Sequence, residues 1–151
     1  MKKLIAIFIC LLLCLAGCST PQSVNTDATK ALTKELQEIS QSITKVRFTF
    51  RRPNLYCRID MSKQPSKEEL ESIVASMKAF STVHNMNEIA RSVNWGLEIS
   101  NIYLDINTDK DPKTIEHAYY AKYYKTFDAS DHSEANIEAY RIWYERDDHE
   151  A

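Results

Sequence analysis

Two consecutive segments between Lys45 and Met61 alternate apolar and polar residues, and this pattern constrains the fold more than any other part of the sequence. The apolar positions are Val46, Phe48 and Phe50 in the first segment, and Leu55, Cys57, Ile59 and Met61 in the second. Successive side chains of a strand point to opposite faces, and Arg51–Asn54, with its proline, marks a turn between the two segments. The sequence therefore predicts a β-hairpin with one apolar face, which a second layer must cover.

The segments on either side of the hairpin have the periodicity of amphipathic helices. Ala28–Ile43 repeats apolar residues at intervals of three and four, and Asp27 is its expected N-cap. A second helix is predicted to begin at Ser66, because Ser66 and Glu69 form a capping box ahead of an apolar stripe. A short further helix is predicted within Asn85–Asn94.

The second half of the chain is expected to add strands. Leu97–Asn107, with a bulge near Ser100, and Ile115–Phe127 are predicted strands. Ala135–Arg146 fits a helix or a strand, and its β-favouring residues favour the strand. Since short connections favour antiparallel neighbours, we expect an α+β domain in which helices cover one face of an antiparallel sheet of four to five strands.

Scarce glycine excludes several classes of functional site. Gly96 is the only glycine after residue 17. Phosphate-binding loops, the dinucleotide-binding fingerprint and the nucleophile elbow all need glycine where a side chain would clash. None of these motifs can be present in the part of the chain that follows residue 17.

The N-terminal segment is organised as an export signal. Lys2 and Lys3 precede an uninterrupted apolar run, Leu4–Ala16, which ends in the tetrapeptide Leu15–Cys18. A membrane-spanning helix needs about 20 apolar residues. The run is shorter than that and fits the central region of a signal peptide.

With this context, Leu15-Ala16-Gly17-Cys18 resembles the lipobox of bacterial lipoproteins. The resemblance covers residues 1 to 18. It implies cleavage before Cys18, a diacylglyceryl group on Cys18, and a lipid-anchored location at the bacterial cell membrane, facing the extracytoplasmic side. The expected organisation is a signal peptide at 1–17, a lipidated tether at 18–27, a single α+β domain at 28–146 and a frayed acidic tail at 147–151.

Loss of the signal peptide would change the charge and the thiols of the remaining chain. Without Lys2 and Lys3, 17 basic residues face 21 acidic ones, a net charge of −4, which argues against general nucleic-acid binding. Cys10 and Cys14 would leave with the signal peptide. Cys57 is then the expected free thiol, and its strand position favours the role of a small buried hydrophobe.

One acidic segment, Asp105–Glu116, partly matches the calcium loop of EF-hand proteins. The matching positions are Asp105, Asn107, Asp109 and Glu116. Lys110 stands where that loop needs glycine, and a strand rather than a helix is predicted before it. Because an acidic turn between two strands accounts for the same residues, no metal or cofactor is assigned.

Two surfaces are candidates for recognition. The polar face and turn of the hairpin are basic, with Lys45, Arg47, Arg51, Arg52 and Arg58. The C-terminal part is rich in aromatic residues: Tyr119, Tyr120, Tyr123, Tyr124, Tyr140, Trp143 and Tyr144. An ordinary solvated sheet face and cross-strand pairing that only stabilises the sheet are the alternatives for these two groups.

Catalytic motifs are not evident. The histidines, His84, His117, His132 and His149, lack the spacing of a zinc site, and no nucleophile has a local base. The sequence therefore predicts a non-enzymatic binding or protein-interaction module, anchored to the membrane by its lipid, with an envelope protein or an anionic polymer as partner and no nucleic acid. The alternative is an envelope enzyme whose site, with or without a metal, is assembled from distant residues.

Overall fold

A sheet of six strands and three α-helices make up the part of the chain that the computed structural model describes, residues 20–109, 111, 113–126 and 128–146. In chain order the elements are β1 (Gln22–Ser23), α1 (Asp27–Ile39), β2 (Ile43–Arg51), β3 (Asn54–Met61), α2 (Lys67–Phe80), α3 (Val83–Ser92), β4 (Asn101–Asn107), β5 (His117–Lys122) and β6 (Trp143–Glu145), with a 3₁₀ turn at Glu134–Asn136 before β6. The architecture is α+β, as predicted. The expected signal peptide, Cys18 and the tail 147–151 lie outside the described residues.

The strands lie side by side in the order of the sequence, from β1 to β6. All neighbours are antiparallel except β3 and β4, which run parallel with Leu55 opposite Ile102 and Ile59 opposite Ile106. The expectation of a purely antiparallel sheet is wrong at this pair. Two helices, α2 and α3, connect β3 to β4, and a connection of that length carries the chain back to start the next strand at the same end.

The core lies between one face of the sheet and the helices. β3 alternates strictly between buried and half-buried residues, and Leu55, Cys57 and Ile59 are fully buried. Ile73 of α2 and Ile89 of α3 belong to the same buried cluster. The opposite face of the sheet is therefore left without a covering layer of helices, and its alternate side chains reach solvent.

The N-terminal caps of the first two helices use reciprocal hydrogen bonds. Ser66 and Glu69 form the predicted capping box of α2: Ser66 Oγ accepts from the Glu69 N–H at 3.1 Å, and Glu69 Oε2 accepts from the Ser66 N–H at 2.8 Å. Helix α1 is capped by Thr26 rather than by the expected Asp27. Thr26 and Thr29 each accept from the other's backbone N–H, at 3.3 and 2.9 Å, which satisfies two of the free N–H groups at the helix start.

Part of the predicted tether belongs to the domain. Gln22 pairs with Phe50 and Ser23 with Thr49, and the buried Val24 donates its N–H to the Phe48 carbonyl at 2.9 Å. The expectation of a tether over 18–27 is therefore wrong from Gln22 onward. The polar composition of this segment did not predict an edge strand, because a short edge strand is held by backbone hydrogen bonds and needs no apolar side chains.

The C-terminal elements are shorter than predicted. Strand β4 begins at Asn101, and the side chain of Leu97 is exposed at 65%. Ala135–Arg146 is mostly irregular and forms a strand only at β6. Tyr140 has a left-handed backbone, with φ of 62°, and its hydroxyl donates to the Ile99 carbonyl at 2.5 Å. No helix in the described ranges has the length and apolar character needed to cross a bilayer.

Candidate functional site

Four tyrosines form a row across the open face of the sheet, which we call the tyrosine ladder. Its members are Tyr56 of β3, Tyr103 of β4, Tyr120 of β5 and Tyr144 of β6, and the strand register places each opposite the next. Consecutive ring centroids are 4.8, 6.3 and 5.1 Å apart, with interplanar angles of 16°, 29° and 25°. The rings are therefore stacked along a line that crosses four strands.

Stacking determines which part of each ring faces solvent. The ring faces point at one another, and cations lie over the two ends: the Arg51 guanidinium is 5.8 Å from the centroid of Tyr56, and Lys122 Nζ is 5.2 Å from that of Tyr144. The ladder therefore offers ring edges and phenol groups to a ligand. A nucleic-acid base needs a free aromatic face on which to stack, so this geometry does not suit bases.

The phenol groups of the ladder are hydrogen-bonding groups. Burial, and then the neighbouring Tyr56, raise the pKa of Tyr103, so its phenol keeps its proton at neutral pH. Tyr144 donates its hydroxyl to Glu138 Oε1 at 3.0 Å. The hydroxyls of Tyr56, Tyr103 and Tyr120 form no hydrogen bond with another described residue, so they are available as donors.

Arginines on β2 and β3 border one end of the ladder. Arg47 Nη2 lies 2.6 Å from Asp60 Oδ2, and Arg58 Nε lies 3.0 Å from Asp60 Oδ1. One carboxylate therefore fixes the position of two guanidinium groups. An open depression of about 410 Å³ lies here, lined by Arg47, Thr49, Arg51, Tyr56, Arg58 and Asp105.

A similar ion pair lies beside Tyr103, inside the ladder, and a lysine lies at the Tyr144 end. Arg146 Nη2 lies 3.0 Å from Asp105 Oδ1, and its guanidinium is 5.5 Å from the centroid of Tyr103. Lys122 Nζ lies 4.0 Å from the buried Glu138. The cationic side chains of this face, Lys45, Arg47, Arg51, Arg58, Lys122 and Arg146, outnumber the carboxylates near them, Asp60, Asp105, Asp109 and Glu138. The face is thus locally positive on a chain whose net charge is −2.

The structure joins parts of the two predicted surfaces into one. Arg47, Arg51 and Arg58 of the hairpin lie on the same face as Tyr120 and Tyr144. Arg52 does not join them, because its guanidinium lies 5.4 Å from the centroid of the Trp95 ring.

The remaining predicted aromatic residues are not part of the ladder. Tyr119, Tyr123 and Trp143 pack against the core, and Tyr140 is buried. Tyr124 contacts His132, with ring centroids 5.9 Å apart.

Sequence reasoning did not assign Tyr56 and Tyr103 to an aromatic surface. Tyr56 alternates with Leu55 and Cys57, and Tyr103 lies between Ile102 and Leu104, so each occupies the polar phase of its strand. That phase places both on the open face. Their contact could not be anticipated without the parallel register of β3 and β4.

The acidic segment after β4 forms a turn held by its own side chains. Asp109 Oδ1 accepts from the Asp111 N–H and from the Thr114 hydroxyl, both at 2.7 Å. Glu116 Oε2 accepts from the Thr108 N–H at 2.8 Å. The Thr114 and Asp111 hydrogen bonds lower the pKa of Asp109. The carboxylate oxygens of Asp109 and Glu116 therefore hold the turn between β4 and β5 in place. This is the acidic turn between two strands that was the alternative to a calcium loop.

The histidines are dispersed. His84 is exposed, His117 Nε2 lies 3.4 Å from Gln64 Oε1, and His132 Nδ1 lies 3.3 Å from the Tyr124 hydroxyl. His149 lies outside the described residues. Within the described ranges, no three side chains of the histidine, cysteine, aspartate or glutamate type converge as metal ligands would.

Cys57 is fully buried in the core. Burial, with a contribution from Asp105, raises the pKa of its thiol. The thiol therefore stays protonated at neutral pH, and the prediction that Cys57 is a buried hydrophobe is confirmed.

Comparison with known proteins gave no match: no protein-family model, no curated protein and no solved structure is significantly similar to this chain.

Proposed function

We propose that the chain is a lipoprotein of the bacterial cell envelope, anchored by a lipid on Cys18, whose open sheet face binds an anionic polymer. The role is non-enzymatic. The observation that supports binding is the tyrosine ladder beside arginines that are held in place by carboxylates. The anchor is supported by the lipobox resemblance of Leu15–Cys18.

The quadrupole of an aromatic ring supports an anionic ligand. A tyrosine ring is negative on its face and positive at its edge. Since the ladder encloses its faces and exposes its edges, it offers a row of weakly positive edges and phenol donors. Nearby guanidinium groups add full charges with the planar geometry that suits phosphate and carboxylate oxygens.

The ladder is also rigid before a ligand arrives. Its rings are fixed on four paired strands, and Asp60 and Asp105 orient the neighbouring arginines. Binding therefore loses less side-chain entropy than it would on flexible residues. A line of similar groups matches a ligand that repeats along its length, which favours a polymer over a compact acidic protein.

The test of binding uses the mature protein and two probes, polyphosphate and polyglutamate. Arg51 lies over Tyr56 and has no ion pair with a described carboxylate, so Arg51→Ala removes a charge without leaving a partner unpaired. We expect affinity for polyphosphate to fall about tenfold, the loss of one charged hydrogen bond. Lys34→Ala, which removes the same charge from the exposed face of α1, is the matched control and should bind as wild type does.

If the Arg51→Ala and Lys34→Ala variants bind polyphosphate equally well, the ladder face is not the binding site. Binding to polyglutamate but not to polyphosphate would indicate an acidic protein partner instead of a phosphate polymer.

The anchor is tested separately. Detergent phase partition should place wild-type protein in the detergent phase, because a diacylglyceryl group holds a protein at a membrane more firmly than one acyl chain does. Cys18→Ala should remain uncleaved and should incorporate no labelled lipid. Normal cleavage of this variant would contradict the lipoprotein assignment.

A further inference from the structure

The direction of β1 shows at which end of the domain the N-terminal segment emerges. Gln22 lies opposite Phe50 and Ser23 opposite Thr49, in an antiparallel pair. Moving from Gln22 toward the N-terminus, the chain therefore passes the end of β2 and reaches the level of the turn between β2 and β3. Cys18 precedes Gln22 by four residues, so it lies within about 14 Å of it even in a fully extended chain.

A small apolar and basic patch lies at this same end, which we call the turn patch: Arg52, Trp95 and Leu97. The Arg52 guanidinium is 5.4 Å from the centroid of the Trp95 ring, and Leu97 is exposed at 65%. The Ser100 N–H donates to the Pro53 carbonyl at 2.9 Å, which holds the Trp95–Ser100 segment beside the turn.

The core supports the turn patch. The Trp95 ring centroid lies 5.9 Å from that of the buried Phe50, and Trp95 Nε1 donates to the Glu98 carbonyl at 3.2 Å. Glu98, the acidic residue of this segment, is half-buried and interacts with the Tyr124 hydroxyl. An arginine, a tryptophan and an exposed leucine are thus presented together on a fixed support.

We propose that the turn patch docks onto an anionic lipid bilayer, the same bilayer that holds the lipid on Cys18; this inference rests on the proposed anchor. Tryptophan favours the interface between lipid and water, arginine is attracted to anionic headgroups, and Leu97 would insert between acyl chains. Cys18 precedes Gln22 by only four residues, so a lipid on Cys18 would hold the turn patch beside the bilayer, and this proximity selects the bilayer as the occupant of the patch.

Docking would orient the domain. The turn between β2 and β3 would face the bilayer, and the strands would rise away from it. The tyrosine ladder crosses the strands, so its line of rings would run along the membrane surface with the open face directed sideways. A polymer that lies parallel to the membrane could then contact all four rings.

The experiment uses lipidated full chain in vesicles that contain brominated lipids, which quench nearby tryptophan fluorescence. Trp143→Phe leaves Trp95 as the reporter, since the chain has two tryptophans. Trp143 Nε1 has no hydrogen-bond partner among the described residues, so this substitution removes no such bond. We expect Trp95 to be quenched in vesicles with phosphatidylglycerol and less so in phosphatidylcholine alone.

The matched control is Trp95→Phe, which leaves Trp143 on β6 as the reporter and should show little quenching. In the Trp143→Phe background, Arg52→Ala with Leu97→Ser should remove most of the quenching of Trp95, while polyphosphate binding at the ladder stays unchanged.

Unquenched Trp95 in a chain that floats with vesicles would overturn the docking proposal and leave the anchor intact. A chain that carries no lipid and does not float would instead overturn the anchor. A second copy on the patch would give unquenched Trp95 together with a dimer in sedimentation, and this result would also contradict docking on lipid.

Discussion

Tyr103 stacks on Tyr56 across the parallel pair β3–β4, with ring centroids 4.8 Å apart and planes within 16° of parallel. Because Tyr103 also contacts Tyr120, Tyr103→Ala breaks the ladder in its middle. We expect the free energy of unfolding to fall by about 2 kcal/mol, from two lost aromatic contacts and the lost burial. Urea denaturation followed by circular dichroism measures this change.

Tyr103→Phe is the control for that prediction. It keeps the ring and removes a hydroxyl that has no partner among the described residues, so its free energy of unfolding should remain within about 0.5 kcal/mol of wild type. An alanine variant as stable as the phenylalanine variant would show that ring stacking contributes nothing.

Ala139 has a left-handed backbone, with φ of 50°, and Ala139→Gly is expected to stabilise the protein. An L-residue pays about 1–2 kcal/mol for this conformation, whereas glycine pays a smaller cost in backbone entropy. The free energy of unfolding should rise by about 0.5 kcal/mol. Ala118→Gly, on β5 and without a positive φ, should lower it by about 1 kcal/mol. Opposite signs for the two variants in chemical denaturation are the expected result.

The Cys57 thiol should be unreactive in the folded protein. Burial raises its pKa and blocks access to it, and only the thiolate attacks a disulfide reagent. The substitutions Cys10→Ser, Cys14→Ser and Cys18→Ser leave Cys57 as the one thiol of the chain. In this variant, Ellman's reagent should modify Cys57 only as fast as the chain unfolds. The reaction should be complete in denaturant. Rapid modification without denaturant would contradict the buried position.

Acidification should destabilise the fold through Asp109. Its pKa is lower in the folded state, because of the Thr114 and Asp111 hydrogen bonds. A carboxyl group with a lowered folded pKa contributes stability that is complete above its unfolded pKa and is lost as the pH falls through its folded pKa. The unfolding temperature should therefore decrease when the pH is lowered below about 4.

Asp109→Asn cannot titrate, so its curve of unfolding temperature against pH should be flatter than that of wild type in the acid range. Asp128 and Asp131, whose pKa values are also lowered, should keep part of the slope. Parallel curves for wild type and variant would show that Asp109 makes no contribution.

Local patterns predicted the parts of the fold that local physics determines. The alternation in β2 and β3 identified the hairpin and its buried face, and the Ser66–Glu69 box located the start of α2. These features depend on neighbours in the sequence. The same holds for Cys57, whose position in the apolar phase of β3 indicated burial.

The features that sequence patterns did not predict depend on long-range pairing. The alternation of β4 is the same whether it runs parallel or antiparallel to β3. The two helices between them are long enough for a crossover, but the antiparallel prediction did not use this signal. The tyrosine ladder needs the register of four strands, and only Tyr120 and Tyr144 were placed in an aromatic surface by composition. Strand β1 has no apolar alternation, since it is bound by backbone hydrogen bonds at an edge.

The edges of the sheet matter for the lipid anchor that we propose, because an anchored protein is held at a surface. Strands β1 and β6 contain two and three residues, and the part of β2 that extends beyond β1 has an irregular register between Ile43 and Lys45. Long flat edges act as templates for pairing between molecules, and short, charged or irregular ones oppose it. Proteins tethered to one membrane meet at high local density, at the same height and in similar orientations. Short and irregular edge strands would prevent the sheets of neighbouring molecules from pairing, so the molecules could reach high local density without aggregating.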